Sequence, residues 1–175
     1  MGARAVNAAV ADAGPLIHLA EVDGLALLRI FAVLHIPDAV WVEAVRPNRV
    51  REVDLAELRN IHRHTISQVQ VAQFLQETGL EGLQTGDVES LCLCQHIQVS
   101  TLLTDDLSVR EAAKQLLLTP VGSLGIVVRA YHAGHISLAD AERYLNGLYD
   151  TSSLFVTRVI ADLAIEQLRA SSAPS

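Results

Sequence analysis

Short apolar, β-branched runs alternate along this chain with longer stretches of helical spacing, which limits it to a sheet whose strands are joined by helices. Strands are expected over Ala5 to Ala13, Ala32 to Ile36, Ile61 to Ile66, Val99 to Thr104 and Leu118 to Val121. Helical spacing fills Leu16 to Phe31, the DAVWVEAV stretch after Pro37, Ser67 to Glu77, and a segment from Thr85 or Gly86 through LCLC. It returns over Leu107 to Leu117, Ser123 to Ala133, Ser137 to Tyr149 and Ser153 to Arg169. Gly14-Pro15 reads as the end of the first strand, and Pro37 as a first-turn proline whose missing N–H costs little. Asn48 to His64 is the most polar stretch and predicts a loop or short helix before the third strand. The expected class is α/β, a mostly parallel sheet covered on both faces, with ligands bound beyond the carboxyl ends of its strands.

A chain of 175 residues with no Pro/Gly/Ser-rich linker predicts one domain over residues 1–170 and a frayed tail at 171–175. Half the residues are hydrophobic and only 4% aromatic, so the core must be built from Ala, Val, Leu and Ile. The net charge of −7 argues against nonspecific nucleic-acid affinity driven by overall charge, and leaves a local basic patch or a metal-mediated phosphate contact. The amino terminus lacks the charged start and apolar core of a leader, and no apolar run approaches membrane-spanning length. A soluble, cytoplasmic protein without membrane contact is therefore expected. Cys92 and Cys94, two apart on a helix, point to different faces and fit a reducing compartment.

Acids recur at four stations in this apolar background: Asp12, Glu43, Asp87 with Glu89, and Asp105 with Asp106. Each has a structural explanation. Asp12 fits a turn or helix cap. Glu43 fits an exposed pair with Arg46 worth ~0.5 kcal/mol, or partial burial between Val40 and Val45. Asp87 and Glu89 suit the first turn of a helix, where the macrodipole favours carboxylates. Of the adjacent Asp105 and Asp106, one is expected to point inward and the other to cap the next helix, with Asp106 the preferred inward residue. If the stations converge at a sheet edge, their repulsion must be offset, and a divalent cation is the commonest agent. Other constellations are weaker. His62 and His64 lack further ligands at zinc spacing, and no Gly-x-Ser-x-Gly elbow is present. Gly122-Ser-Leu-Gly125 lacks the P-loop lysine and is assigned to packing and capping.

The segments VADAGPLIHLAEVDGLALL, IPDAVWVEAV, TGDVESLCLC, LLTDDLSVREAA and VGSLGIVVRAYHAGHIS follow the order found in PIN-domain proteins. From about Asp12 to the last helix, the chain resembles a bacterial and archaeal PIN-like branch related to VapC-type toxins. That resemblance implies a three-layer α/β/α sandwich and a Mg²⁺- or Mn²⁺-dependent ribonuclease site of three or four acids. Asp12 matches the first-strand Asp, Glu43 the Glu of a Pro-x-x-Val-x-x-Glu helix, and Asp106 the Asp after the late strand, with Asp105 beside it. The third station stays open between Asp87 and Glu89, because the branch usually carries Gly-Glu-x-Glu where this chain has Gly-Asp-x-Glu. The implied catalytic set is Asp12, Glu43, Asp87, Glu89 and Asp106, and the implied metal set is Asp12, Glu43, Asp87, Asp105 and Asp106. As partners the resemblance implies an RNA substrate and, on its toxin side, a small antitoxin and a homodimeric second copy. The apolar face over Leu124 to Tyr131 fits either such a dimer interface or the core. The competing class is a PIN-like binding module with weak or no catalysis. A phosphoacceptor receiver is disfavoured, since its acid pair follows the first strand and here the pair comes late.

Overall fold

The computed structural model describes residues 7–172. Five strands, β1 (Ala8–Ala11), β2 (Val33–Pro37), β3 (Ile61–His64), β4 (Thr101–Leu103) and β5 (Thr119–Val121), form one sheet. Its order is β3-β2-β1-β4-β5 and every pairing is parallel. The chain builds outward from β1 to β3 and then returns to the other side of β1 with β4. That reversal opens a crevice at the carboxyl ends of β1 and β4, where doubly wound sheets bind ligands.

Nine α-helices are described: α1 (Ala13–Glu21), α2 (Asp38–Val45), α3 (Glu52–Ala56), α4 (Gln68–Thr78), α5 (Thr85–Ile97), α6 (Leu107–Gln115), α7 (Ser123–His132), α8 (Leu138–Asp150) and α9 (Arg158–Ser172). A 3-10 helix spans Leu25–Ile30. Strand alternation splits the core between the two faces of the sheet. Ala9, Ala11, Leu34, Ile36, Leu103 and Val121 turn toward a cluster that includes Leu16 of α1, Ile126 of α7, Leu145 of α8 and Leu168 of α9. Val10 and Leu102 turn the other way, onto Phe74 of α4, Leu91 of α5 and Val109 of α6. The result is the expected three-layer α/β/α sandwich. Small residues in β1 let the layers close tightly, and each fully buried Leu contributes about 2 kcal/mol relative to exposure.

Several expected boundaries move. Gly14-Pro15 does not end the first strand; both residues lie in the first turn of α1, where backbone N–H groups have no helical acceptor and proline loses nothing. The described part of that strand ends at Ala11, and Ala5 and Val6 lie outside the described residues. The last helix begins at Arg158 instead of Ser153. Ser153 is held outside it by Glu21, whose carboxylate accepts from the Ser153 N–H at 2.6 Å and from its hydroxyl at 2.9 Å. Arg49 donates to the same hydroxyl at 3.0 Å. Residues 151–157 therefore form a pinned strap between α8 and α9. Ser171 and Ser172, placed in a tail by the sequence, close α9, and residues 173–175 lie outside the described residues. The apolar face of α7 packs in the core, with Ile126, Val127 and Ala130 fully buried.

Candidate active site

The carboxyl end of β1 delivers Asp12, which caps α1 by accepting from the Ala13 N–H at 2.8 Å. Its second oxygen accepts from the Thr104 hydroxyl at 3.0 Å, across from the end of β4. Asp12 is only 5% exposed. Burial pushes its carboxyl up to about 7, and the nearby Asp87 and Glu43 carboxylates add to the rise, while the Ala13 and Thr104 hydrogen bonds oppose it.

Asp12, Glu43, Asp87, Asp105 and Asp106 line one pocket of about 290 Å³, together with Gly14, His18, Gln84 and the strap residues Ser153 to Phe155. Glu43 comes from the last turn of α2 and stands against α5. A Cβ at Gly86 would lie 3.0 Å from its Oε2, so glycine at that position leaves room for the carboxylate. Burial and then Asp87 raise the Glu43 carboxyl, against the pull of Arg49. The surface pair with Arg46 is not made. Asp87 sits in the first turn of α5 and accepts from the Gln84 N–H at 3.1 Å, closing a capping box. Burial raises this carboxyl too, and Asp106 adds to the rise.

The two acids of the third station part company. Asp87 lines the pocket, whereas Glu89 faces the start of α2 and accepts from the Ala39 N–H at 3.2 Å. Glu89 therefore stands outside the carboxylate pocket, capping a neighbouring helix. The late pair also departs from a simple division into one inward and one capping residue. Asp106 is itself the cap of α6, accepting from Ser108 and Val109 N–H groups through Oδ1, and it still lines the pocket. Asp105 spends both oxygens on protein partners. Its Oδ1 accepts from the Ser123 N–H at 2.7 Å and its Oδ2 from the Ser123 hydroxyl at 2.6 Å, with His18 Nδ1 at 2.7 Å from Oδ2. Gly122 makes this approach possible, since a Cβ there would sit 2.8 Å from Asp105 Oδ1.

His18, Thr104 and Ser123 were missed as site-building residues. The legible signal was the hydroxyl and glycine chemistry directly after strands, in LLTDD and VGS, which capping alone also explains. Among the described residues no Lys or Arg lines the pocket, and its one histidine, His18, is engaged by Asp105. Among the same residues, no three His, Cys, Asp or Glu side chains stand close enough to share one metal ion. An all-oxygen donor set around uncompensated charge still fits Mg²⁺, which keeps several waters and typically takes only one or two carboxylates. Asp12, Asp87, Glu43 and the free oxygen of Asp106 are the donors available to such an ion.

No curated protein and no solved structure matches the chain. A family model described as a PIN domain matches residues 8–170, spanning β1, the carboxylate pocket, the strap and nearly all of α9. The chain belongs to the PIN-domain family.

Proposed function

We propose that this chain is a Mg²⁺- or Mn²⁺-dependent endoribonuclease that hydrolyses phosphodiesters at the carboxylate pocket. PIN domains are generally metal-dependent nucleases, which supplies the reaction class. The observation that carries the proposal for this chain is the meeting of Asp12, Glu43, Asp87 and Asp106, from separate elements, around one pocket without Lys or Arg in its described lining. A bound divalent cation supplies Lewis-acid stabilisation of a phosphate oxygen and a lowered pKa for attacking water.

The residues of the chain do the rest. Asp12, oriented by Thr104 and by the α1 terminus, offers a fixed oxygen ligand at the switch point of the sheet. Asp106 keeps one oxygen on α6 and turns the other to the substrate side. Glu43 and Asp87, with carboxyls raised by burial, orient the attacking water, one of them taking a single proton from it as the new P–O bond forms, while the leaving oxygen departs as the P–O bond breaks and takes a proton from solvent. Asp105 positions by tying α1, the β4 exit and α7 together, and Glu89 supports α2 from outside the pocket. On the resemblance to VapC-type toxins, the biological setting is a toxin–antitoxin pair with a small antitoxin as partner.

The test is cleavage of labelled single-stranded and structured RNA with Mn²⁺, with Mg²⁺ and with EDTA. Asp12→Asn and Asp106→Asn are expected to lose about a hundredfold or more in rate, equivalent to about 2.7 kcal/mol of barrier or more. Cleavage that persists in EDTA, or in both variants, defeats the proposal. Metal binding without cleavage of any RNA favours the binding-module reading instead.

A further inference from the structure

Beside the carboxylate pocket lies a larger groove of about 470 Å³, and the two share Asp105, Leu154 and Phe155. The walls of the groove carry Arg110 from α6 and Arg129 from α7. Among the described residues six arginines pair with carboxylates, while Arg29, Arg46, Arg59, Arg110 and Arg129 pair with none, and of these five Arg110 and Arg129 are the two that line this groove. Arg110 is nonetheless fixed, donating from Nη1 to the Thr104 carbonyl at 3.2 Å, beside the hydroxyl that holds Asp12. Two guanidiniums free of carboxylates are thus set next to a carboxylate-rich pocket, in a chain whose net charge is −7.

The seam between groove and pocket is marked by Phe155, which is fully exposed, and Leu107 on the groove wall is also largely exposed. An aromatic ring left in water on a short strap gains nothing from the fold. The strap is nevertheless pinned two residues earlier through Ser153, Glu21 and Arg49, so the ring is carried at a defined place. Guanidiniums offer planar forks that match phosphate oxygens, and an exposed aromatic face takes a base by stacking without regard to sequence. Both features together select a single strand, whose unpaired bases are free to stack.

We propose that this groove is a subsite for single-stranded RNA, with Arg110 and Arg129 on phosphates flanking the scissile one and Phe155 stacked on a base at the seam. The proposal rests on the reading of the carboxylate pocket as an RNA-cleaving site. One strand then runs from the groove past Phe155 into the pocket, so the groove sets the footprint while the carboxylates act on a single phosphate.

The test uses the full chain and a fluorescein-labelled single-stranded RNA 12-mer, with affinity read by anisotropy in an Asp12→Asn background so that the probe stays intact. Arg129→Gln is expected to weaken binding about tenfold and to reduce the slope of log Kd against log salt by about 0.7, the value for one phosphate contact on a single strand. Phe155→Ala is expected to weaken binding about tenfold with the salt slope unchanged. Thermal melts of both variants must match the parent, and both positions are exposed or on a groove wall away from the core clusters. Unchanged affinity and slope in both variants, while the unmutated chain cleaves RNA, overturns the subsite and leaves the nuclease reading intact; that is the outcome for a groove built for an acidic peptide. The expected binding pattern without any cleavage supports the subsite and overturns the nuclease reading. Absence of RNA binding altogether overturns both.

Discussion

Asp12 has a hydrogen-bond donor on each oxygen, from the Ala13 N–H and the Thr104 hydroxyl, and burial still outweighs them, lifting its carboxyl from 3.8 to about 7. A carboxyl whose native pKa is raised binds its proton more tightly in the folded chain than in the unfolded one. Stability therefore falls as pH rises from about 4 to about 7, and above that the penalty is constant. At roughly 1.4 kcal/mol per unit it is on the order of 4 kcal/mol in the metal-free protein. Asp12→Asn keeps an acceptor for the helix cap and removes the charge, so in EDTA at pH 8 the variant should be more stable than the parent by a few kcal/mol. The advantage should shrink toward pH 4. Urea denaturation at both pH values checks this, and an equal loss of stability at both would mean that Asp12 acts through its hydrogen bonds alone.

The late acid pair shows how one element end can serve structure and chemistry together. Asp106 Oδ1 holds the first turn of α6, leaving its other oxygen for the pocket. Asp106→Asn retains the capping acceptor and should change stability by no more than about 0.5 kcal/mol, while Asp106→Ala loses the cap and should cost about 1 kcal/mol. Both should lose cleavage to a similar degree, because both remove the charge. Chemical denaturation beside a cleavage assay separates the roles, and full activity in the Asn variant would assign Asp106 to the cap alone. Elements of this kind were readable beforehand where local chemistry and tertiary need agree. Helical spacing starts at Ser67, which caps α4 in a reciprocal box with Gln70, and β4 with α6 fell where LLTDD and the following spacing put them. Reading failed where a distant partner decides. Ser153 looks like a helix start until Glu21, far away in sequence, claims both its donors. Glu89 looks as apt as Asp87 until the start of α2 claims it. No local pattern records either contact, and the strap and the third acid were fixed only by the packed arrangement.

At the scale of the whole molecule, the pocket joins elements that the sheet topology brings in from both directions of chain growth. Asp12 follows β1, Glu43 follows β2, Asp87 opens α5, and Asp106 follows β4. Their order along the chain was legible, and so was the place of Asp12 and Asp106 at strand exits, because parallel strands all point that edge the same way; that Glu43 and Asp87 join them was only a condition until the helices were packed. Their mutual electrostatics were not, since burial and spacing exist only in the fold. Asp87 raises both Asp12 and Glu43, and Asp106 raises Asp87, so the carboxylates repel one another across the pocket. No helix among the described residues is long and apolar enough to cross a membrane. A divalent ion binding the native pocket alone should stabilise the whole chain by RT ln(1 + [L]/Kd), about 2.7 kcal/mol at a hundredfold excess over Kd. For a chain of 175 residues, that corresponds to a rise in Tm of roughly 5–10 °C at pH 8 with Mg²⁺ or Mn²⁺. NaCl at matched ionic strength should give much less, since screening weakens the repulsion without neutralising buried Asp12. Asp12→Asn should lose most of the metal-dependent rise, having already shed the buried charge. Equal shifts with NaCl and with the divalent ions would show that the acids meet without holding a cation.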